Sequence, residues 1–441
     1  MTTGAAHPWA RCKGGLQVDH ELLVHLITIP LFTGVIGYIT NWTGVLMLFQ
    51  PLKFHGIRIP GLKILFPFLP RRVQVIPAIT SEGRFGWQGI VPSRAAKMAS
   101  IAVDKGLAKL GSISDFYREL EPDKIAERLT EIAEVEIREV VEYIMMREEP
   151  QLWGSLPPQV KDVVHARVME RLPSLVRQLT DEIGTNIDQL LDAKLMVMRH
   201  LEQHPELLND MFRKVGKKEL TFMQNFGFYF GYPMGFVLVW IVEMVPQWWV
   251  LPVGGVVIGY VVNYIGIMMI FEPVRRTRWV PWKQGLFIKR KDEIADVYAK
   301  IISDNVITIN NVGNELLHGP RSDRTHRMLE HLLRPTIDKA VGPARPAVRA
   351  FVGGRSYDRI RQSVATESTR FAPRAFGDEE FNVRQANKIF RFVADQMRRM
   401  SLDDFNELLR SAIKQDEWLL FVHGAVLGAG AGFLHLAIFG V

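Results

Sequence analysis

Two histidines four residues apart, in His200-Leu-Glu-Gln-His204, give the best metal-binding spacing in this sequence. An i, i+4 pair puts both imidazoles on one face of a helix. This pair lacks a Glu next to its first His and has no evident third ligand, so it reads as a solvated helix face. His326 and His331 are five apart and face differently. The single cysteine, Cys12, allows no intrachain disulfide and no cysteine-based metal site. Asp292 and Glu293 follow Lys289-Arg-Lys291, a placement that suits carboxylates in the first turn of a helix. Gly428-Ala-Gly430-Ala-Gly432 lies inside an apolar segment with no strand before it, which speaks against a phosphate loop. There is no nucleophile elbow, P-loop or paired-acid signature. These residues predict no catalytic group, no metal and no cofactor, and so a protein that is not an enzyme. The polar residues that stand out are Asn41 and Asn263, each set deep in an apolar run.

The elements around them explain why. The chain has 441 residues, a formal charge of +7, 48% hydrophobic and 23% charged residues. These averages exclude general disorder, collagen-like repeats and a disulfide scaffold. The apolar residues are bunched, however. Leu22–Phe49, Phe222–Val242, Trp248–Phe271 and Trp418–Val441 contain no Asp, Glu, Lys or Arg. A bilayer core of about 30 Å needs roughly 20 helical residues, and lipid offers no partners to an unpaired backbone. Four membrane-spanning helices are therefore expected, the first kinked or shifted towards the interface at Pro30. It is longer than a signal-peptide core and carries no small-residue cleavage site. Besides tyrosine, His25, His423 and His435 are the only titratable groups in the spans, expected towards the outer halves as interfacial hydrogen-bonding groups. The lack of an acid at depth counts against an ion-coupled carrier.

Residues 50–221 and 272–417 separate the spans, whereas only Glu243–Gln247 join spans two and three. Both long regions therefore belong on one side. Lys53, Arg58, Lys63, Arg71 and Arg72 follow span one, Arg213, Lys214, Lys217 and Lys218 precede span two, and Arg275, Arg276, Arg278 and Lys283 follow span three. The positive-inside rule then puts both long regions in the cytoplasm, with both termini and the short hairpin outside an inner membrane.

The chain also repeats itself. Gly37-Tyr-Ile-Thr-Asn41-Trp-Thr-Gly44-Val-Leu-Met47-Leu-Phe49-Gln-Pro51 matches Gly259-Tyr-Val-Val-Asn263-Tyr-Ile-Gly266-Ile-Met-Met269-Ile-Phe271-Glu-Pro273, 222 positions on. Pro30 and Pro252 keep that offset. Gln88-Gly89, Arg94 and Glu119-Leu120 match Gln284-Gly285, Arg290 and Glu315-Leu316 at an offset of 196. Gly227, Gly231 and Gly235 match Gly424, Gly428 and Gly432 at 197. The change of offset marks an insertion between about Lys53 and Trp87. Each copy thus reads span, cytoplasmic region, span, and the two copies are parallel, related by a pseudo-two-fold axis along the membrane normal.

The six glycines of spans two and four fall on one face at a four-residue period, which lets helix backbones approach. They predict packing of these spans with each other or with spans one and three. Asn41 and Asn263 suggest an interhelical hydrogen bond, pairing across the pseudo-two-fold, or a substrate site at the repeat interface. The insertion, Phe54–Phe85, mixes Pro, Gly, Arg and large apolar residues. It reads as an interfacial segment whose bases face anionic lipid, or as a loop buried against the cytoplasmic part. Without interleaved aromatics, the cationic clusters suit lipid headgroups better than nucleic acid.

The cytoplasmic regions read as amphipathic helices. Ile125, Leu129, Ile132, Val140, Ile144 and Met145 fall at helical spacing, as do Ile187, Leu190, Leu191 and Leu195. Pro122 suits a helix start, and Ser401-Leu-Asp-Asp404 opens another helix with acceptors in its first turn.

The sequence resembles a bacterial membrane family of unknown function, domain of unknown function 445, which includes the YjiN and YheB proteins. The resemblance rests on the Gly-Tyr-x-x-Asn-Trp/Tyr-x-x-x-x-Met-Leu/Ile-Phe-x-Pro pattern at Gly37–Pro51 and Gly259–Pro273, on the helix start Lys289-Arg-Lys-Asp-Glu-Ile-Ala295, and on Lys218-Glu219-Leu220 before the glycine-rich span. It covers most of the chain in blocks. The family is similar to one copy of the unit described above. The first copy departs at Pro92-Ser-Arg-Ala-Ala-Lys-Met-Ala99, where the acidic pair is missing. The family supplies no catalytic residues to carry over.

The expectation is an all-α membrane protein. A tail over 1–21 precedes a first repeat over 22–247, with spans 22–49 and 222–242. A second repeat covers 248–441, with spans 248–271 and 418–441. Each repeat should enclose a cytoplasmic helical bundle or coiled hairpin. The function expected is a non-enzymatic membrane scaffold or lipid-handling protein, and the alternative is a transporter or channel at the repeat interface. Anionic lipids are the expected partners, with a second copy of the chain or other membrane proteins as further candidates.

Overall fold

The computed structural model describes residues 20–58, 80–81, 84–102, 104, 111–371, 379–411, 413–414 and 416–440. Its first elements are α1 (His20–Phe49), β1 (His55–Arg58), β2 (Thr80–Ser81), β3 (Arg84–Trp87), α2 (Ile90–Ser93) and α3 (Ala95–Ala102). Then come α4 (Ile113–Glu119), α5 (Pro122–Glu148), α6 (Pro150–Ser155), α7 (Pro158–Leu190), α8 (Ala193–Gln203) and α9 (Pro205–Val215). They are followed by α10 (Lys217–Met244), α11 (Val250–Phe271), α12 (Leu286–Lys289), α13 (Lys291–Ile301) and α14 (Ile309–His318). The chain ends with α15 (Ser322–Val341), α16 (Arg345–Val352), α17 (Gly354–Phe371), α18 (Glu379–Arg399), α19 (Leu402–Ser411) and α20 (Glu417–Phe439). Among the described residues the build is helical apart from one small sheet. Two compact units emerge, one from Met1–Ser93, Gly216–Lys289 and Ile413–Val441, the other from Arg94–Val215 and Arg290–Ala412.

The first unit is an apolar helix bundle. The helices α1, α10, α11 and α20 are long and apolar enough to cross a membrane. At 22 residues, α11 alone extends about 33 Å, the thickness of a bilayer core. Pro30 lies within α1, which continues on both sides of it. α10 begins five residues before the apolar run expected from sequence and takes in Lys217, Lys218 and Glu219. Helix α1 packs along α10 and α11 along α20, while α1–α20 and α10–α11 contacts close the ring. Ile29, Leu238, Val239, Val242, Val250 and Leu251 form its buried core. The outward faces remain apolar, with Ile27, Tyr229, Val257, Val426 and Phe433 all exposed. Trp240, Trp248 and Trp249 are exposed at one end, and Trp42 and Trp418 at the other. Indole rings favour the two boundaries between hydrocarbon and water.

The insertion holds the one described departure from helix. β3 lies between β1 and β2 in an antiparallel sheet, with His55 opposite Trp87 and Thr80 opposite Phe85. Gly56 sits opposite Gly86, where a Cβ on Gly86 would strike the His55 carbonyl. The bare backbones let the strands meet, a signal that the search for alternating apolar residues passes over. Residues 59–79, and with them Lys63, Arg71 and Arg72, lie outside the described residues.

The second unit is built on a hairpin of α5 and α7, with the apolar stripes of the two helices facing each other through Ala126, Leu172 and Val176. Pro122, Pro150 and Pro158 each stand in the first turn of a helix, where a missing N–H costs nothing. The stripe expected over Ile187–Leu195 is interrupted. α7 stops at Leu190, Leu191 is extended, and the Asp192 carboxylate accepts the Leu195 N–H to cap α8. Ser401 caps α19 by accepting the Asp404 N–H at 3.1 Å. Helices from residues 290–412 complete the hairpin's cover. α15 lies on α7, where Leu329 and Leu333 meet Leu175 and Leu179, and α17 lies on α5. A separate bundle in each repeat was expected. Residues 94–215 and 290–412 fall in one compact unit, in which helices of the later stretch lie on the α5–α7 hairpin.

Candidate functional site

In the helix bundle, the glycines put backbone against backbone. A Cβ on Gly227 would strike the Gly37 carbonyl, and the reverse also holds. Gly231 faces Thr33, with 2.8 Å from such a Cβ to the Thr33 carbonyl, and Gly235 faces Pro30. On the other side, Gly424 meets Gly259, Gly428 meets Gly255, and Gly432 meets Leu251 and Pro252. Spans two and four thus pack on spans one and three respectively. All six glycines are buried in these contacts.

Next to the glycine contacts, Asn41 Nδ2 donates to the Met223 carbonyl at 2.5 Å and Asn263 Nδ2 to the Leu420 carbonyl at 2.6 Å. Both side chains are buried. Each therefore holds its own helix pair together, and the pairing of the two asparagines with each other expected from sequence does not occur. Asn41 Oδ1 has no hydrogen-bond partner among the described residues. The buried Glu219 and Asp416 occupy matching places at the beginnings of spans two and four, 197 residues apart. Sequence reading missed this pair, although the glycine offset extended back one or two turns would have found it.

Three histidines sit at the bundle's ends. His25 Nδ1 meets Glu243 Oε1 at 2.9 Å, and His435 Nε2 meets Thr28 Oγ1 at 3.2 Å. His423 Nε2 lies 3.3 Å from Thr43 Oγ1, near the opposite end of α1. His423 therefore does not share an end with the other two, contrary to expectation: it stands within the second turn of α20, whereas His435 stands in its last turns. A cavity of about 40 Å³ runs between the helices. One face of α1 from Ile29 to Asn41 lines it, together with residues of α11 and α20 and with Leu238.

Beyond the helix ends, two loops repeat one pattern. Gly89 N donates to the Pro51 carbonyl and Gly285 N to that of Pro273. Gln88 Nε2 donates to the Leu52 carbonyl at 2.7 Å and Gln284 Nε2 to that of Val274 at 2.9 Å. The Trp87 and Trp282 indoles donate to the carbonyls of Gln50 and Glu272. Both Gln50–Pro51 and Glu272–Pro273 are cis. Lys53, Arg58, Arg275, Arg276 and Arg278 are exposed, and Trp279 beside them is 95% exposed.

The second unit holds its charges in local networks. The Trp153 indole and His165 converge on Glu142 at 2.6 and 3.2 Å. The indole N–H leads in holding that carboxyl below its usual range. Arg345 and Arg361 flank Asp338, each at 3.2 Å. Burial and then the Asp338 hydrogen bond push the Tyr357 phenol up to about 12. Burial also raises Glu315, against the pull of Arg199. The His200 and His204 rings lie tilted to each other with centres 4.9 Å apart, and burial pushes His200 down. Among the described residues no cluster of three His, Cys, Asp or Glu side chains could hold a metal. Asp292 and Glu293 stand in the first turn of α13, and Glu293 pairs with Arg290 at 2.8 Å.

Four apolar helices with aromatic ends define a helical membrane protein. Over 99 residues the chain is 32% identical to a UPF0754 membrane protein of Synechococcus sp. (strain JA-3-3Ab). The match covers 21% of this chain and spans about a quarter (24%) of that relative's length. No family model matches the chain. No solved structure matches it either.

Proposed function

We propose that this protein is a non-enzymatic membrane scaffold that binds anionic lipid headgroups, built from two copies of a span–region–span unit. The copies are parallel, and both connecting regions and their basic flanks face the cytoplasm across an inner membrane. This reading adopts the resemblance to the domain of unknown function 445 family. It is supported by the paired glycine contacts, the paired asparagine bonds and the paired loop anchors.

The observation that carries the lipid reading is the loop after α11. Trp282, Gln284 and the Lys283–Thr277 backbone bond (2.8 Å) pin it. It nevertheless displays Trp279 almost wholly to the outside, among Arg275, Arg276 and Arg278. An indole gains little from bulk water. At the end of an apolar helix, the headgroup layer suits both the ring and the cations. Each basic residue near an anionic surface contributes about 1 kcal/mol.

Native mass spectrometry of the full chain from nanodiscs of mixed zwitterionic and anionic lipid tests this. Retained anionic lipid is expected, with loss of most of it in Arg275→Gln/Arg276→Gln/Arg278→Gln. Detergent alone on the wild type across several lipid mixtures, or equal retention by the triple variant, refutes the headgroup role.

A further inference from the structure

The bundle cavity goes beyond a scaffold's needs. Two side chains that line it, Asn41 and His435, are 1% and 2% exposed, and each has a polar atom without a partner among the described residues. Hydrogen-bond directions identify both atoms. Asn41 donates through Nδ2 to Met223, leaving Oδ1 as an acceptor. The Thr28 hydroxyl donates to the Val24 carbonyl at 2.8 Å, so its oxygen accepts from His435 Nε2–H. In that tautomer His435 Nδ1 carries a lone pair. Two buried acceptors thus belong to side chains lining one cavity, which follows α1 from Ile29 to Asn41, about 18 Å of helix. An unpaired buried acceptor is costly, and what relieves it is a small hydrogen-bond donor. The cavity, at about 40 Å³, exceeds the roughly 10–15 Å³ that one water needs and falls far short of a metabolite.

The surroundings extend this polar line to both ends. Beyond His435 lies Thr28, and one turn further His25, bonded to Glu243, whose side chain is 43% exposed. Between the acceptors, Thr33 and Thr40 line the cavity. At the far end, Thr43, two residues beyond Asn41, meets His423. The charged or titratable groups of this line come from α1 (His25), α10 (Glu243) and α20 (His435, His423), whereas α11 has no Asp, Glu, Lys, Arg or His.

We propose that the bundle conducts protons, by way of water held between His435 and Asn41, from the Glu243–His25 pair to the Thr43–His423 pair or the reverse. At His435, Nδ1 takes a proton from the water file while Nε2 releases its own to the Thr28 oxygen, and the Thr28 hydroxyl, turning from the Val24 carbonyl, passes its proton on to the His25–Glu243 pair. The ring ends neutral in its other tautomer, and reorientation resets it. One proton moves, and neither an electron nor a cofactor is involved. Chains of His and Glu across a membrane are suited to this use.

The full chain is reconstituted in liposomes of phosphatidylcholine alone, so that anionic headgroup binding plays no part. A pH-sensitive dye is enclosed, and a potassium gradient with valinomycin supplies the driving potential. Wild type should acidify or alkalinise the lumen about tenfold faster than protein-free liposomes, Glu243→Gln should be severalfold slower, and His435→Phe should fall to the protein-free rate. Ile36→Phe, which fills the cavity without touching a titratable group, should block equally, and it decides the matter if His435→Phe fails to fold. Wild-type flux at the protein-free rate overturns the proposal, as does wild-type flux in a folded His435→Phe or in Ile36→Phe.

Discussion

The two helix pairs of the bundle solve one packing problem with different residues. In α11–α20, two glycine pairs, Gly259–Gly424 and Gly255–Gly428, bring carbonyl against α-carbon on successive turns. In α1–α10 only Gly37–Gly227 does so, because Thr33 stands where the second pair has Gly255, and it faces Gly231. Pro30–Gly235 and Pro252–Gly432 close both contacts in the same way. The asparagine bonds are the same in both pairs. The first pair also has a feature the second lacks: His25–Glu243 at its end, where the matching positions are Gln247 and Gly440. The close approach is thus common to both pairs, while polar side chains are concentrated in the first, along the cavity.

The strongest way to break this comparison is to fill a glycine contact. Gly428→Leu has no room, since its first side-chain carbon already collides with the Gly255 backbone. Loss of about 3 kcal/mol or more is expected, at or above the upper end for overpacked sites. Gly231→Ala meets the Thr33 carbonyl at 2.8 Å and should cost about 1–3 kcal/mol. Unfolding in mixed micelles, read by circular dichroism, ranks the two. Equal stability of Gly428→Leu and wild type would mean that α11 and α20 do not touch as described.

The asparagines come next. Asn263→Leu and Asn41→Leu each remove one bond to a backbone carbonyl. Side-chain hydrogen bonds between membrane helices contribute about 0.6 kcal/mol on average, up to about 1.7. Both variants should lose an amount in that range, with Asn41→Leu losing the more, since it also removes the Oδ1 acceptor proposed to hold cavity water; a smaller loss for Asn41→Leu would leave that oxygen dry.

Much of this was legible in the sequence, because membrane spans are the case in which composition alone nearly dictates local structure. Four uncharged runs became four helices, and the offset of 222 anticipated that Asn41 and Asn263 would have matching surroundings. What the asparagines bind was not legible. A deep Asn announces only that it needs a partner, and here a carbonyl one helix away, exposed by glycine contact, was nearer than the other Asn. The sheet was hidden because Gly56 and Gly86, normally read as turn signals, are what lets β1 and β3 meet. The break at Asp192 was hidden because the apolar spacing continues across it, while the capping carboxylate ends one helix and starts the next. The merging of two regions into one unit depends on which faces are left uncovered by neighbours close in sequence, and periodicity does not carry that information. The cavity's polar atoms escaped notice for a similar reason, since His435 and Asn41 are 394 positions apart in the numbering.

The comparison can also be sharpened by making the pairs more alike. Thr33→Gly gives α1 the residue that α11 has at Gly255. The helices gain room to approach, the two hydroxyl bonds to Ile29 and Pro30 carbonyls disappear, and the helix pays roughly 0.5–1 kcal/mol for the extra glycine. These effects oppose one another, so the net change in stability should stay within about 1 kcal/mol. Cysteine cross-linking between positions near 34 and 231 should nevertheless become faster, because the backbones lie closer. If its rate is unchanged while stability falls, Thr33 is filling space that a closer approach cannot close.

The smallest effect is expected where the pairs differ most in charge. Glu243 bonds His25 at 2.9 Å, but its side chain is 43% exposed, and water and salt screen such a pair. Glu243→Gln keeps an oxygen that can accept from the imidazole, so the stability lost should be at most about 0.5 kcal/mol. No matching change at Gly440 can be made, which confines the effect to the first pair. The same variant is expected to slow proton entry severalfold. A small loss of stability together with a large loss of flux therefore separates the two roles of this carboxylate. A loss well above that bound, with flux unaffected, would make Glu243 a structural clasp of α1 on α10, and the polar line through the cavity would then begin at His25 without it.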